Sequence, residues 1–253
     1  MEWREDGEEY IGNMAAGFTG HNRDNLLLGL WRNATGSVLP EWNADVHWID
    51  GTCSKDEHGV WHVSSPRFEG DRQIVWFGAS MDAGYENAGV FGVWAVDRHG
   101  RTYKVCEVYH HHWTHDDWAR CIVQIAREFP LHGIVGDHDK ALIEAINRAL
   151  INAGFRPMMR IADKTLGMSG DKGKAARIEM FRARLQRREI YFLRGINRHI
   201  DGELKAQNLP WCSPMEFPRL RYVEFVRGED AVSDAQKVDK RVPDHGFDET
   251  LYW

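Results

Sequence analysis

Cysteine is scarce in this sequence and scattered where it occurs. Cys53, Cys106, Cys121 and Cys212 stand far apart, with no CxxC pair. That spacing argues against a disulfide framework or a thiolate zinc site and fits a reducing, intracellular setting. Long apolar runs are missing as well: no stretch approaches the roughly 20 residues that cross a bilayer, and nothing has the pattern of a secretory signal. No GxxxxGK[ST] occurs, which excludes a P-loop nucleotide site within these residues. Internal repeats and low-complexity tracts are absent too.

What remains is a chain of 253 residues, 43% hydrophobic and 11% aromatic, enough for a sizeable core in one or two domains. The net charge of −6 is unevenly spread. Residues 156–227 carry sixteen basic and eight acidic side chains, whereas residues 1–72 carry six and thirteen. A basic block in an acidic protein can track phosphates when its charges share a face; otherwise it is a solvated helical surface.

The first 70 residues read as irregular, with a short helix in "NLLLGLWRNATGSVLPEW" that breaks at Asn33–Gly36. From Arg72 the rhythm becomes regular. "QIVWFGASMD", "AGVFGVWAVD" and "TYKVCEVYH" read as three consecutive antiparallel strands, with "DRHGR" as the hairpin turn between the second and third. "THDDWARCIVQIAREF" reads as a helix capped by Thr114, and "LHGIVGDHD" as a short buried strand. "KALIEAINRALINAGF" reads as a helix, and "GKAARIEMFRARLQRREIYFL" as a helix running into a strand. "PDHGFDETLYW" starts as a helix entry would and stops after scarcely two turns. This order implies an α/β domain.

Several apolar strands end in acid, which buried strands have little reason to do. Asp82 closes the first, Asp137 and Asp139 follow the fourth, and Asp244 and Asp248 lie on the last helix. Strand tips at one sheet edge bring such carboxylates together, where they repel and raise one another's pKa. A hard divalent cation reverses that penalty, and two such ions activate water for phosphodiester hydrolysis. Each acid taken alone has a plainer reading as a turn former or helix cap, Asp139 and Asp244 especially. His110, His111 and His112 sit at a strand end with no partner at ligand spacing and read as loop.

"MDAGYENAGVFGVWAVDRHGRTYKVCEVY" resembles the first strands of the nuclease domain in the large subunit of tailed-phage terminases. "IVGDHDKALIEAINRALINAGF" is similar to that family's second metal-binding segment, and "PDHGFDETLYW" to its closing D-H-x-x-D motif. "GLWRNATGSVLPEWNADVHWI" resembles its connector from the packaging ATPase, so the resemblance covers roughly residues 25–253. It implies an RNase H-like fold: a mixed sheet of three antiparallel strands followed by parallel strands, flanked by helices. It also implies a connector over residues 1–71 and a nuclease domain over 72–253.

The activity implied is metal-dependent endonucleolytic cutting of concatemeric phage double-stranded DNA during packaging, with two Mg²⁺ or Mn²⁺ ions. The family's triad falls on Asp82, Asp137 and Asp248, with Asp244 as a further ligand and His245, Asp139 and Gly84 in support. The implied partners are DNA, the terminase small subunit, the portal and the packaging ATPase domain, without a membrane, in the host cytoplasm. The sequence carries no motif of that ATPase. In this context Lys164, Lys172, Lys174, Arg177, Arg184 and Arg188 become candidates for the DNA backbone, the three arginines by helical spacing on one face. The competing readings are a non-catalytic DNA-binding module of the same fold and another RNase H-like nuclease of resolvase or transposase type. Trp31, Trp42, Trp48 and Trp61 are expected to cover the nuclease core, in preference to the alternative of packing on a motor domain.

Overall fold

The computed structural model describes residues 36–163, 171–223 and 237–253, without the side chains of residues 171 and 172. Trp31, the first 25 residues and most of the expected early helix lie outside them. Between residues 44 and 64, read from the sequence as irregular, the chain forms a one-turn helix, α1 (Ala44–His47). Three short strands follow: β1 (Trp48–Ile49), β2 (Thr52–Lys55) and β3 (Trp61–Ser64). Strands of two to four residues are too short to display an alternating pattern, so their pairing is set by the sheet they join.

The long strands come next: β4 (Arg72–Asp82), β5 (Gly89–Asp97) and β6 (Thr102–His110). They pair antiparallel in sequence order. Nearly every residue of β5 and β6 is buried, because side chains on both faces of the sheet are covered. At the β5–β6 turn Asp97 Oδ1 accepts the amides of His99 and Arg101 at 2.8 and 3.0 Å, fixing the expected hairpin.

Helix α2 (His115–Glu128) is opened by Thr114, whose side chain and that of Asp117 cap one another's backbone amides. Then follow β7 (Ile134–Gly136), α3 (Lys140–Asn152), β8 (Met159–Ile161), α4 (Asp171–Gln186), β9 (Ile190–Leu193), β10 (Asn197–Arg198), α5 (Gly202–Ala206), α6 (Ser213–Glu216) and α7 (His245–Tyr252). β7 pairs parallel with β4, and β8 parallel with β7. The central order is β6-β5-β4-β7-β8, a mixed sheet of antiparallel and then parallel strands as expected, with β8 a strand the sequence reading did not include. The sheet extends further: β9 lies parallel to β6 and β1 to β9, while β3 and β2 continue antiparallel beyond β4.

Alternation along the strands feeds two cores. Phe91, Val93 and Ala95 of β5 face one layer, where Trp118, Ile122 and Ile125 of α2 meet Leu142, Ile146 and Leu150 of α3. Trp94 faces the other, among Phe181 and Leu185 of α4, Phe217, and Phe247 and Leu251 of α7. Trp61 stacks on Phe129 in the first layer, and Trp42 and Trp48 pack on the second, as expected of core-covering tryptophans.

Candidate active site

Asp82 is the last residue of β4, and Asp137 follows the last residue of β7. Met81 and Gly136 are register partners, so the two aspartates leave adjacent parallel strands side by side, where neighbouring strands lie about 4.8 Å apart. Helix α7 crosses this end of the sheet, packed on β4, β5 and β7. His245, Asp248 and Tyr252 are three and four residues apart along it and so share a face. That face meets Asp82: the Tyr252 hydroxyl donates to Oδ1 at 3.0 Å, and His245 Nδ1 lies 3.4 Å from Oδ2. Burial pushes the Tyr252 phenol up first, and the charges of Asp82, Asp248 and Asp137 add to it. Asp82 and Asp137 thus lie side by side at the strand tips, and the helix that carries Asp248 is fastened to Asp82 through Tyr252 and His245.

A fourth acid closes the group. Asp244 stands at the start of α7 but makes no side-chain capping bond; its Oδ2 instead faces Lys174 Nζ at 3.2 Å. The same ammonium lies 2.6 Å from Asp248 Oδ1. Burial pushes the Asp248 carboxyl up to about 6, with the charges of Asp244 and Asp82 adding and Lys174 opposing. Lys174 itself is pulled down by burial, but Asp248 and Asp244 outweigh that and raise it. Burial also lowers His245, and the hydrogen bond and charge of Asp82 more than restore it, so its pKa is raised.

Oxygen donors on the tips of β4 and β7 and on α7, partly buried and gathering an ammonium, suit a hard divalent cation. They do not form a closed cage for one ion. Among the described residues, the three-ligand groups with donor atoms within 4.8 Å of one another are His110–His111–Asp201 and His111–His112–Glu203. The aspartates form an open acidic edge. Beside it lies a cleft of about 580 Å³, lined by Gly84, Tyr85, Trp113, His115, Asp137 and Asp139 among others.

The other predicted residues distribute unevenly. Asp139 is a helix cap, its Oδ1 accepting the Leu142 amide at 3.0 Å and its Oδ2 facing His115 Nε2 at 3.1 Å. Gly84 is required by space: a Cβ there would sit 2.6 Å from the carbonyl oxygens of both Asn87 and Ala88. Lys164 and the Lys172 side chain lie outside what is described. Lys174 belongs to the acidic edge rather than to an outward basic face. Arg177 reaches the Leu251 carbonyl at 3.4 Å, with its guanidinium 5.6 Å from the centre of the Tyr252 ring. Arg184 donates to Thr102 Oγ1 at 2.9 Å, across the sheet edge. Arg188 is a correction: α4 ends at Gln186, and Arg188 sits in a left-handed turn at φ 55°, off any shared helix face.

Tyr252 was missed by the sequence reading, although it lies four residues beyond Asp248 and could have been found by that spacing. Also missed was the buried assembly that anchors α7. Lys104 Nζ, fully buried on β6, contacts Glu249 Oε2 at 2.6 Å, Glu107 Oε1 at 2.9 Å and Ser213 Oγ at 2.9 Å. Glu249 Oε1 accepts the Ser80 hydroxyl at 2.5 Å, which ties the helix back to β4. Gly92 leaves the room: a Cβ there would run into both Glu249 and Lys104. Glu216 holds the start of α7, accepting the amides of Gly246 and Phe247 at 3.1 and 2.9 Å and the Tyr109 hydroxyl at 2.5 Å.

No family model matches the chain, and no curated protein matches it in sequence. Solved structures do. The large terminase of the thermophilic bacteriophage D6E is similar over 97% of this chain and 51% of its own, at TM-score 0.62 and 16% identity. The chain thus spans about half the length of that relative. The P22 large terminase nuclease domain is similar over 87% of this chain and 91% of its own, at TM-score 0.54 and 12% identity. The large terminase nuclease of the thermophilic phage G20c, solved with bound magnesium, is similar over 87% and 96%, at TM-score 0.50 and 13% identity. The chain thus shares its overall fold, a mixed sheet flanked by helices, with the solved large terminase of D6E and the P22 nuclease domain.

Proposed function

We propose that this protein is the nuclease portion of a phage terminase large subunit, a metal-dependent endonuclease that cuts double-stranded DNA during genome packaging. The observation that carries the reading is the meeting of Asp82 and Asp137, at adjacent strand tips, with the helix that carries Asp248, in a fold shared with terminase nuclease domains. Asp82, Asp137, Asp248 and Asp244 are the residues to hold Mg²⁺ or Mn²⁺. When bound, two such ions supply Lewis acidity and a deprotonated water for attack on the phosphodiester.

The chain's own groups prepare that edge. Tyr252 and His245 orient the Asp82 carboxylate from two sides. Lys174 neutralises Asp244 and Asp248, so that the acids can sit together before a cation arrives. The cleft beside Asp137 gives a DNA strand access. Residues 1–71 are read as the connector to a packaging ATPase, with the small subunit and portal as further partners and the infected cell's cytoplasm as the setting.

The test is supercoiled plasmid incubated with the wild-type chain in Mn²⁺, Mg²⁺ or EDTA. Nicked and then linear product that needs the metal supports the reading. DNA retained on the protein but never cut with either ion supports the non-catalytic module instead.

A further inference from the structure

The three histidines at the end of β6 are read from the sequence as loop because nothing nearby in sequence partners them. In the structure the partners arrive from 90 residues away. Asp201, 2% exposed, accepts the His111 amide at 3.1 Å and a short hydrogen bond from the His111 ring through Nδ1. A proton fixed on Nδ1 leaves the Nε2 lone pair on the opposite side of the ring. There Nε2 lies 3.4 Å from Glu203 Oε2. That separation matches the roughly 3.3 Å between neighbouring ligands implied by tetrahedral bonds of about 2.0–2.1 Å to zinc.

His112 completes the group. Its ring centre is 4.0 Å from that of His111, and a ring nitrogen of His112 lies within 4.8 Å of the other two donor atoms. Its backbone is left-handed, at φ 58°, and its amide donates to the Tyr85 carbonyl at 2.8 Å. A carboxylate that orients a histidine whose outer nitrogen meets a second imidazole and a second carboxylate is the layered arrangement of histidine-rich metal centres.

We propose that His111 Nε2, a His112 ring nitrogen and Glu203 form a site for one zinc-class transition-metal ion, distinct from the all-oxygen aspartate edge, with Asp201 orienting His111. Two imidazoles and one carboxylate select a borderline metal, whereas the aspartates suit magnesium or manganese. The site joins the end of β6 to α5. Through the His112–Tyr85 contact it also braces the loop that follows Asp82 and walls the cleft. Its role is a clamp on that wall, independent of whether the aspartates cut DNA.

The experiment titrates Co²⁺, as a spectroscopic substitute for Zn²⁺, into the full chain carrying Asp82→Asn and Asp248→Asn, which disables the acidic edge. The expected result is one equivalent bound with intense tetrahedral d–d bands, displaced by Zn²⁺ but not by Mg²⁺. Adding His112→Ala or Glu203→Gln, both at half-exposed or exposed side chains, is expected to weaken that equivalent at least about tenfold, the lower end of what site residues contribute. Circular dichroism identical to the parent excludes unfolding as the cause. No tetrahedral Co²⁺ equivalent in the parent, or an equivalent untouched by both substitutions, overturns the proposal. Because the aspartates are disabled throughout, the outcome is independent of whether the nuclease reading stands.

Discussion

Lys174 stands between Asp244 and Asp248, whose carboxylates would otherwise repel one another. Its replacement by glutamine is expected to cost about 1–3 kcal/mol in EDTA, less than a fully buried pair because all three side chains keep some exposure. Mn²⁺ should then stabilise Lys174→Gln more than it stabilises the wild type, since the ion takes over the neutralisation. Thermal melts in EDTA and in Mn²⁺ check this, and equal metal-induced shifts in both proteins count against it. Glu216 gives a pH signature. Burial raises its carboxyl from 4.5 to about 7, so the folded state holds its proton more tightly than the unfolded chain. That contribution is complete below about pH 4.5 and is lost as pH rises through 7. Glu216→Gln carries no such loss, so its stability relative to wild type should improve between pH 5 and pH 8, by at most about 1.4 kcal/mol per pH unit. Denaturant titrations at the two pH values decide it; a constant difference refutes the assignment. Among single residues, Asp82, Asp137 and Asp248 were legible as strand-tip and helix acids. The partners of Lys174, Arg184 and the histidine tract were not, because each is chosen by an element at least 70 residues away.

At the scale of elements, α7 is short and gains its position from packing and a buried charge assembly rather than from helix propensity. Lys104→Met would leave Glu107 and Glu249 buried without their cation, at a cost of about 3–5 kcal/mol. Because α7 carries Asp248, metal affinity should fall together with stability, and calorimetry on the folded fraction checks the second half. An unchanged unfolding midpoint would show that the assembly does not hold the helix. The strands β4–β6 and helices α2 and α3 were legible because they are long, patterned and capped by Thr114 and Asp139. β1–β3, β8 and β10 were not, being four residues or fewer and defined by the strand each joins. The basic block is shaped by the same kind of distant packing. Helix α4 is buried along Ile178, Phe181 and Leu185, and Arg182 makes a buried fork with Glu41, at 2.9 and 2.8 Å.

For the whole molecule, the account joins one sheet edge to one chemistry. Strand order brings Asp82 and Asp137 to the same end, and the last helix delivers Asp248 across it. Structure neighbours with 12–17% identity share that frame, which is why order and spacing of loose motifs carried the resemblance while no sequence match did. Asp137→Asn is the most direct probe, because its side chain is more exposed than that of Asp82 and its loss disturbs the core least. Metal-dependent plasmid cleavage should be compared for wild type, Asp137→Asn, Asp82→Asn and Asp248→Asn, each checked for an unchanged fold. The account predicts that every variant loses about a thousandfold or more of the cutting rate, as several kcal/mol of transition-state stabilisation requires. Cutting by any folded variant at a rate near wild type would contradict it.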